Sequence, residues 1–178
     1  MPSTGQDGLY LILISVHGLI RGHDLELGRD PDTGGQTLYV VELARALAQH
    51  PSVRRVDLVT RRVIDPNVSD DYAQPVEDLG DGAQIIRVDC GPEEYLRKED
   101  LWDHLDSFAD NLLDFLHREC GDPSMIHSHY ADAGYVGSRV ASTLGLPLVF
   151  TGHSLGRVKR RRLLASGVKS REIEARYN

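Results

Sequence analysis

Apolar runs and helical periodicities alternate along this chain. Leu9-Tyr10-Leu11-Ile12-Leu13-Ile14 is continuously apolar, which predicts a strand buried on both faces, as in a parallel sheet covered by helices. An amphipathic helix opens at Gly35 and runs to about His50, with Val40, Leu43, Ala44 and Leu47 on one face. Val53–Thr60 is the next strand. Residues 64–82 hold Pro66, Pro75, Gly80, Gly82 and several Asp and read as a loop or excursion. Ala83–Val88 is a third strand. Leu101, Leu105, Phe108, Leu112, Leu113 and Leu116 recur at spacings of three and four and predict a helix over Glu99–Glu119. Met125–Ser128 is a fourth strand. Ala133–Leu144 is a helix rich in Gly, Ala and Ser, suited to close packing on a sheet, and Leu146–Thr151 is a fifth strand. A loop, Gly152–Gly156, leads to a basic helix from Val158. Arg171–Asn178 reads as a helix that neither a C-cap glycine nor a stop proline closes, the expected look of a piece of a longer protein.

Repeated strand–helix alternation predicts an α/β fold: a doubly wound, Rossmann-like parallel sheet forming one domain over residues 1–178. Ligands in such sheets bind beyond the carboxyl ends of the strands. Three polar segments fall there: His17–Gln36, His127–Asp132 and Gly152–Gly156. The geometric expectation is that they meet in one crevice.

Composition narrows the function. The chain is 40% hydrophobic and 26% charged, as soluble globular proteins are. Its net charge of −7 disfavours general nucleic-acid binding. From His153 onward, however, eight Lys or Arg stand against two Glu, which suggests a local anion site or an interface. Cys90 and Cys120 form neither a metal spacing nor a disulfide framework, so a reducing cytoplasm is the expected setting. No apolar run approaches the ~20 residues of a membrane span.

The stretch Asp32-Thr33-Gly34-Gly35-Gln36 carries the most chemistry. Two glycines at a loop-to-helix junction expose bare backbone to a ligand, and the first helical N–H groups point outward unpaired, where the helix dipole favours an anion. The alternative is an ordinary tight turn. His127, His129 and Asp132 end a strand. Their choices are ring nitrogens bonded to sugar hydroxyls or phosphate, or a bond to a loop carbonyl; a metal lacks a third ligand at suitable spacing. His153 and Ser154 are adjacent, which does not suit a nucleophile facing its base, nor is this a nucleophile elbow. Lys159-Arg160-Arg161-Arg162 is either a solvated helix face or the source of one phosphate-gripping cation, to which Lys98 could add.

With these residues in hand, the chain resembles the N-terminal part of the sucrose-phosphate synthases, retaining glycosyltransferases of the two-Rossmann-domain GT-B architecture. The resemblance is carried by S-V-H-G-L-I-R-G (15–22), E-L-G-R-D-x-D-T-G-G-Q (26–36), V-x-E-L-A-R-A-L (40–47), V-D-L-V-T-R (56–61), G-P-x-x-Y-L-x-K-E-x-L-W (91–102), I-H-S-H-Y-A-D-A-G (126–134) and T-G-H-S-L-G-R-x-K (151–159). It implies transfer of glucose from UDP-glucose to fructose 6-phosphate, giving sucrose 6-phosphate and UDP. It also implies roles. Gly34 and Gly35 would admit the donor diphosphate. Gln36, Lys98, His129 and Lys159 would hold the acceptor and its phosphate. His153 would be the catalytic imidazole, set against the transferred glucose and its 6-hydroxyl. UDP-glucose enters as a substrate; no resident cofactor, no metal and no Mg2+ is called for, and no membrane or nucleic-acid partner. The family's second domain, with its donor-binding Arg/Lys pair and E-x7-E segment, is not among these residues, so the chain alone is expected to be inactive. Three rivals stand beside this reading. Sucrose synthase or another GT-B enzyme would use a different acceptor, and a non-catalytic Rossmann module would bind without turnover. A nucleic-acid module built on the Lys159–Arg162 run lacks interleaved aromatics.

Overall fold

The apolar run at the start of the chain is a central strand, β1 (Leu9–Ile14), with parallel neighbours on both sides. In the computed structural model, residues 8–119, 121–154 and 156–177 are described, and the side chains of Lys159 and of residues 174–177 lie outside that description. Around β1 stand α1 (Gly35–Ala48), β2 (Val53–Arg61), β3 (Val76–Gly80), β4 (Ala83–Val88), α2 (Leu105–Arg118), β5 (Met125–His129), α3 (Tyr130–Leu144), β6 (Leu148–Thr151), α4 (Gly156–Ala165) and α5 (Ser170–Tyr177). The sheet order is β3-β4-β2-β1-β5-β6. All pairings are parallel except β3 with β4.

β1 shows why its sequence is apolar at every position. Tyr10, Ile12 and Ile14 pack with Phe108 and Leu112 of α2 and Val136 and Val140 of α3. Leu11 and Leu13 face the other way, onto Val40, Val41 and Ala44 of α1. Alternate residues of a strand point to opposite faces, so helices on both sides demand a continuous apolar run. The expected doubly wound α/β sheet is therefore what the chain forms. β2 lies on one side of β1 and β5 on the other, so the strand order reverses between β1 and β5. That reversal opens a crevice at their carboxyl ends.

Three expectations differ in detail. Residues 64–82 are not all loop: Val76–Gly80 is an edge strand, antiparallel to β4, and Asp70–Ala73 is a 3-10 turn. The helix expected from Glu99 begins at Leu105, after two 3-10 turns at Lys98–Asp100 and Trp102–His104. α3 starts at Tyr130, three residues before the expected Ala133.

The small residues of α3 let it press on the sheet. A Cβ at Gly137 would lie 1.9 Å from Ser128 Oγ, and one at Gly134 would lie 2.7 Å from the Phe150 ring. Helix propensity alone favours Ala over Gly by about 1 kcal/mol. Here the collision outweighs it, so Gly137→Ala is expected to destabilise the protein by about 1–3 kcal/mol. Combining it with Ser128→Gly, which removes the oxygen, should recover most of the loss in urea unfolding. Equal losses in the single and double variants would refute the contact.

Candidate functional site

Asp30 shapes the loop that carries the diglycine. Its carboxylate accepts hydrogen bonds from the N–H groups of Asp32 (2.8 Å) and Thr33 (2.9 Å), the Thr33 hydroxyl (2.9 Å) and the Tyr95 hydroxyl (2.9 Å). Burial opposes its ionisation, but these donors prevail and hold its pKa below the usual carboxylate value. Thr33 Oγ1 in turn accepts from Leu19 N–H. The chain thus enters α1 in one fixed conformation. Gly34 is the N-cap, extended, with no side chain capping the helix. Among the described residues, the N–H groups of Gly34, Gly35 and Gln36 have no hydrogen-bond partner. Neither glycine is needed for the fold: both lie outside the positive-φ region, and a Cβ at either meets nothing within 4 Å.

Those N–H groups border a cavity of about 260 Å³ at the β1/β5 reversal. Its floor and rim come from the three segments at strand ends. His17 follows β1, Gly34, Gly35 and Gln36 open α1, Tyr130 follows β5 and His153 follows β6. Lys98 reaches in from the loop before α2. Gln36 donates its side-chain N–H to Ser15 Oγ at 3.1 Å, which anchors its amide over the end of β1. Lys98 is already engaged. Its ammonium is bonded to Asp32 and lies 3.4 Å from Glu99, and its backbone N–H donates to Asp32 at 2.9 Å. Burial pulls its pKa down, but Asp32 and then Glu99 more than offset this, leaving it raised.

Behind the cavity stands a ladder of imidazoles. His129 is fully buried at the N-cap of α3, with its Nδ1 3.0 Å from Nε2 of His153. His127 Nε2 pairs with Thr151 Oγ1 at 2.8 Å, and its ring lies 4.1 Å from that of His129. Tyr39 meets His129 and His153 edge-on. Burial first, then the neighbouring imidazoles His127 and His153, lower the His129 pKa to about 3. Burial, with His153, lowers that of His127, and burial, with His17, lowers that of His153. His153 itself sits at φ +51 and Tyr130 at φ +76, conformations that non-glycine residues hold at a cost and that gather at working sites.

The pattern that defines Glycosyltransferase Family 4 matches residues 33–177. The chain belongs to this family. It is 47% identical over 195 aligned residues to a sucrose-phosphate synthase of Zea mays, which covers 95% of this chain and 18% of that protein. It is 48% identical over 185 residues to sucrose-phosphate synthase 4 of Arabidopsis thaliana, covering 92% of this chain. A solved sucrose-phosphate synthase from Thermosynechococcus elongatus superposes with a TM-score of 0.69 at 30% identity, covering 86% of this chain and 35% of that one. The chain thus spans about a fifth of the length of the curated plant relatives it matches.

For this family-4 chain, the residues singled out from sequence divide into three groups. Gly34, Gly35, Gln36, Lys98 and His153 line one cavity. His129 does not reach its surface but stands behind His153. Lys159 lies in α4, its side chain outside the description. The sequence reading did not single out His17 and Tyr130 as individual site residues. Their signal is positional: His17 lies three residues past the carboxyl end of β1, and Tyr130 directly after that of β5, the two strands that border the reversal. Among the described residues, no helix is long and apolar enough to cross a membrane.

Proposed function

We propose that this chain is the acceptor-binding part of a retaining glycosyltransferase that moves glucose from UDP-glucose to fructose 6-phosphate, giving sucrose 6-phosphate. One observation carries the reading. Gly34 and Gly35 are glycines that neither backbone conformation nor packing requires, and they leave three unpaired N–H groups at the start of a 14-residue helix. Bare backbone there suits an oxygen-rich anion. The relatives' name, sucrose-phosphate synthase, supplies the substrate class.

In this reading Gly34 and Gly35 receive the donor diphosphate, while Gln36 and Lys98, with Lys159, hold the acceptor. His153 faces the transferred glucose and its 6-hydroxyl, and His129 holds His153. A cavity of about 260 Å³ is small against the roughly 300–1,000 Å³ of sites for larger ligands. It suits a sugar phosphate and leaves most of the nucleotide sugar to a second, donor-binding domain outside this chain. No resident cofactor enters, and the setting is cytoplasmic. The isolated chain is expected to show negligible turnover with UDP-glucose and fructose 6-phosphate.

A specific observation favours a second reading, in which the acceptor is free fructose, as in sucrose synthase. An ammonium has three N–H donors, and Asp32 and Glu99 already face that of Lys98. Titration calorimetry of the chain separates the two readings. Fructose 6-phosphate is expected to bind at least tenfold more tightly than fructose, because the phosphate adds charge-assisted hydrogen bonds to Lys98 and the open Gln36 N–H. Tighter binding of fructose would transfer the case to the second reading, and turnover near that of a complete enzyme would overturn the division of labour.

A further inference from the structure

His17 and Asp132 come from opposite sides of the strand-order reversal, His17 just beyond β1 and Asp132 in the first turn of α3. Their Nδ1 and Oδ2 atoms are 2.7 Å apart, and the residues are 6% and 1% exposed. The other carboxylate oxygen, Oδ1, accepts the Ala133 N–H at 2.6 Å. A negative charge is favoured in the first turn of a helix, and an ionised carboxylate can only accept. Nδ1 of His17 must then be the donor. Asp132 is sealed behind the ring and does not line the cavity, whereas His17 does.

The ring is held from other sides as well. Tyr130 packs edge-on against it at 4.8 Å between centroids. The next residue, Gly18, is at φ +83, and a Cβ there would come within 2.5 Å of the Asp32 carbonyl oxygen. The backbone carrying His17 is therefore packed directly against the diglycine loop and cannot shift toward it. Tyr130, which supports the ring, is one of the two strained non-glycine residues in this cavity wall. Strain retained around a fixed imidazole is the mark of a preorganised contact.

We infer that Asp132 is a positioning residue for His17: it holds the imidazole with Nδ1 protonated and presents Nε2 to the cavity as a hydrogen-bond acceptor for a sugar hydroxyl. The inference rests on the sugar-binding reading above for its ligand, but not for its geometry. Among the described residues no protein hydrogen bond or ion pair reaches Nε2. A neutral ring with Nδ1–H leaves a lone pair there. Hydroxyls, unlike phosphates, can donate to it. The pair thus gives the cavity a group that reads a sugar hydroxyl, complementing the N–H groups that receive phosphate.

Nitrogen-15 spectra of the histidine side chains, recorded on the whole chain at pH 8, test this. Without ligand, His17 should show a protonated Nδ1, with its proton far downfield, and an unprotonated Nε2. Fructose 6-phosphate should move the Nε2 resonance. In Asp132→Asn the side-chain amide can donate to Nδ1 and turn the ring into the other tautomer, as carboxylate-to-amide changes do elsewhere. Nε2 then becomes a donor, and affinity for fructose 6-phosphate should fall about tenfold, with Asp132→Glu restoring Nδ1–H. A wild-type His17 protonated at Nε2 overturns the inference without recourse to any variant. So does unchanged affinity in a folded Asp132→Asn. Fructose 6-phosphate shifting the Gln36 amide but not His17 sinks the inference and leaves the proposed function standing. A ligand that moves none of these resonances removes the proposed function, and with it the hydroxyl at Nε2.

Discussion

Alanine at Gly34 or Gly35 is expected to leave the fold intact and to weaken binding of UDP-glucose at least tenfold. The two halves of this expectation have separate causes. Gly34 sits at φ −134 and ψ −151, extended backbone that any residue adopts, and Gly35 is the first residue of α1. A Cβ at either position meets nothing within 4 Å. The change in stability should therefore stay within about 0.5 kcal/mol, as for a substitution away from packing. The same methyl stands where an anion must approach the open N–H groups. Losing one hydrogen bond to a charged ligand removes about 1.5–3 kcal/mol, which is tenfold or more in affinity. Gly18→Ala is the contrast, because its strained φ and its collision with the Asp32 carbonyl should show in the thermal melt itself. Titration calorimetry beside a melting curve for each variant makes the test. Unchanged affinity in Gly34→Ala and Gly35→Ala would return the diglycine to the status of a plain turn.

Much of this architecture could be read from the chain alone, and the misses have physical causes. β1 was legible because a strand covered on both faces is a continuous apolar run, and β2, β4 and β5 as shorter, interrupted apolar stretches alternating with helical patterns. β3 escaped because it is an edge strand with Val76 and Leu79 spaced among Glu77, Asp78 and Gly80, and its partner is only apparent once β4 is in place. The periodicity of α2 was real, but its first turn is not α-helical. The Lys98 N–H is drawn to the Asp32 carboxylate, 66 residues away, and the chain turns twice as 3-10 before settling at Leu105. No local pattern announces such a tie. The convergence of three strand ends on one crevice was legible from the rule that ligands bind at carboxyl ends of parallel strands. What the pattern could not reveal was the state of the charged groups. Lys98 looked like a free cation and is held by Asp32. Asp132 looked like part of a His/Asp cluster and instead backs His17. Such pairings join residues distant in sequence, and only the fold brings them together.

His129 should make this protein acid-sensitive well above the pH at which carboxylates titrate. Unfolded, its imidazole takes up a proton near pH 6.5; folded, it does so only at about 3. Between those values the unfolded chain binds the proton that the folded chain refuses. Stability is then complete above about pH 6.5 and falls as pH drops, by up to about 1.4 kcal/mol per pH unit for each imidazole kept fully neutral. His127 and His153 are shifted in the same direction and add to the slope. The carboxylates held below their usual pKa, Glu26, Asp30, Asp65 and Asp71, contribute only at lower pH, below about 4.5. Urea unfolding at several values from pH 7.5 down to 4.5 therefore reads the imidazoles almost alone. His129→Phe fills the same buried space without a titrating group, and it removes an Nε2 that has no partner among the described residues. Its stability at pH 7.5 should stay close to wild type, whereas the slope between pH 6.5 and 4.5 should drop by roughly 1 kcal/mol per unit. An unaltered slope would place the acid sensitivity elsewhere. Because His129 Nδ1 meets His153 Nε2, a neutral His129 is also what lets the two rings share a single proton rather than repel. The burial that makes the fold acid-sensitive is thereby the same feature that keeps His153 in the cavity wall.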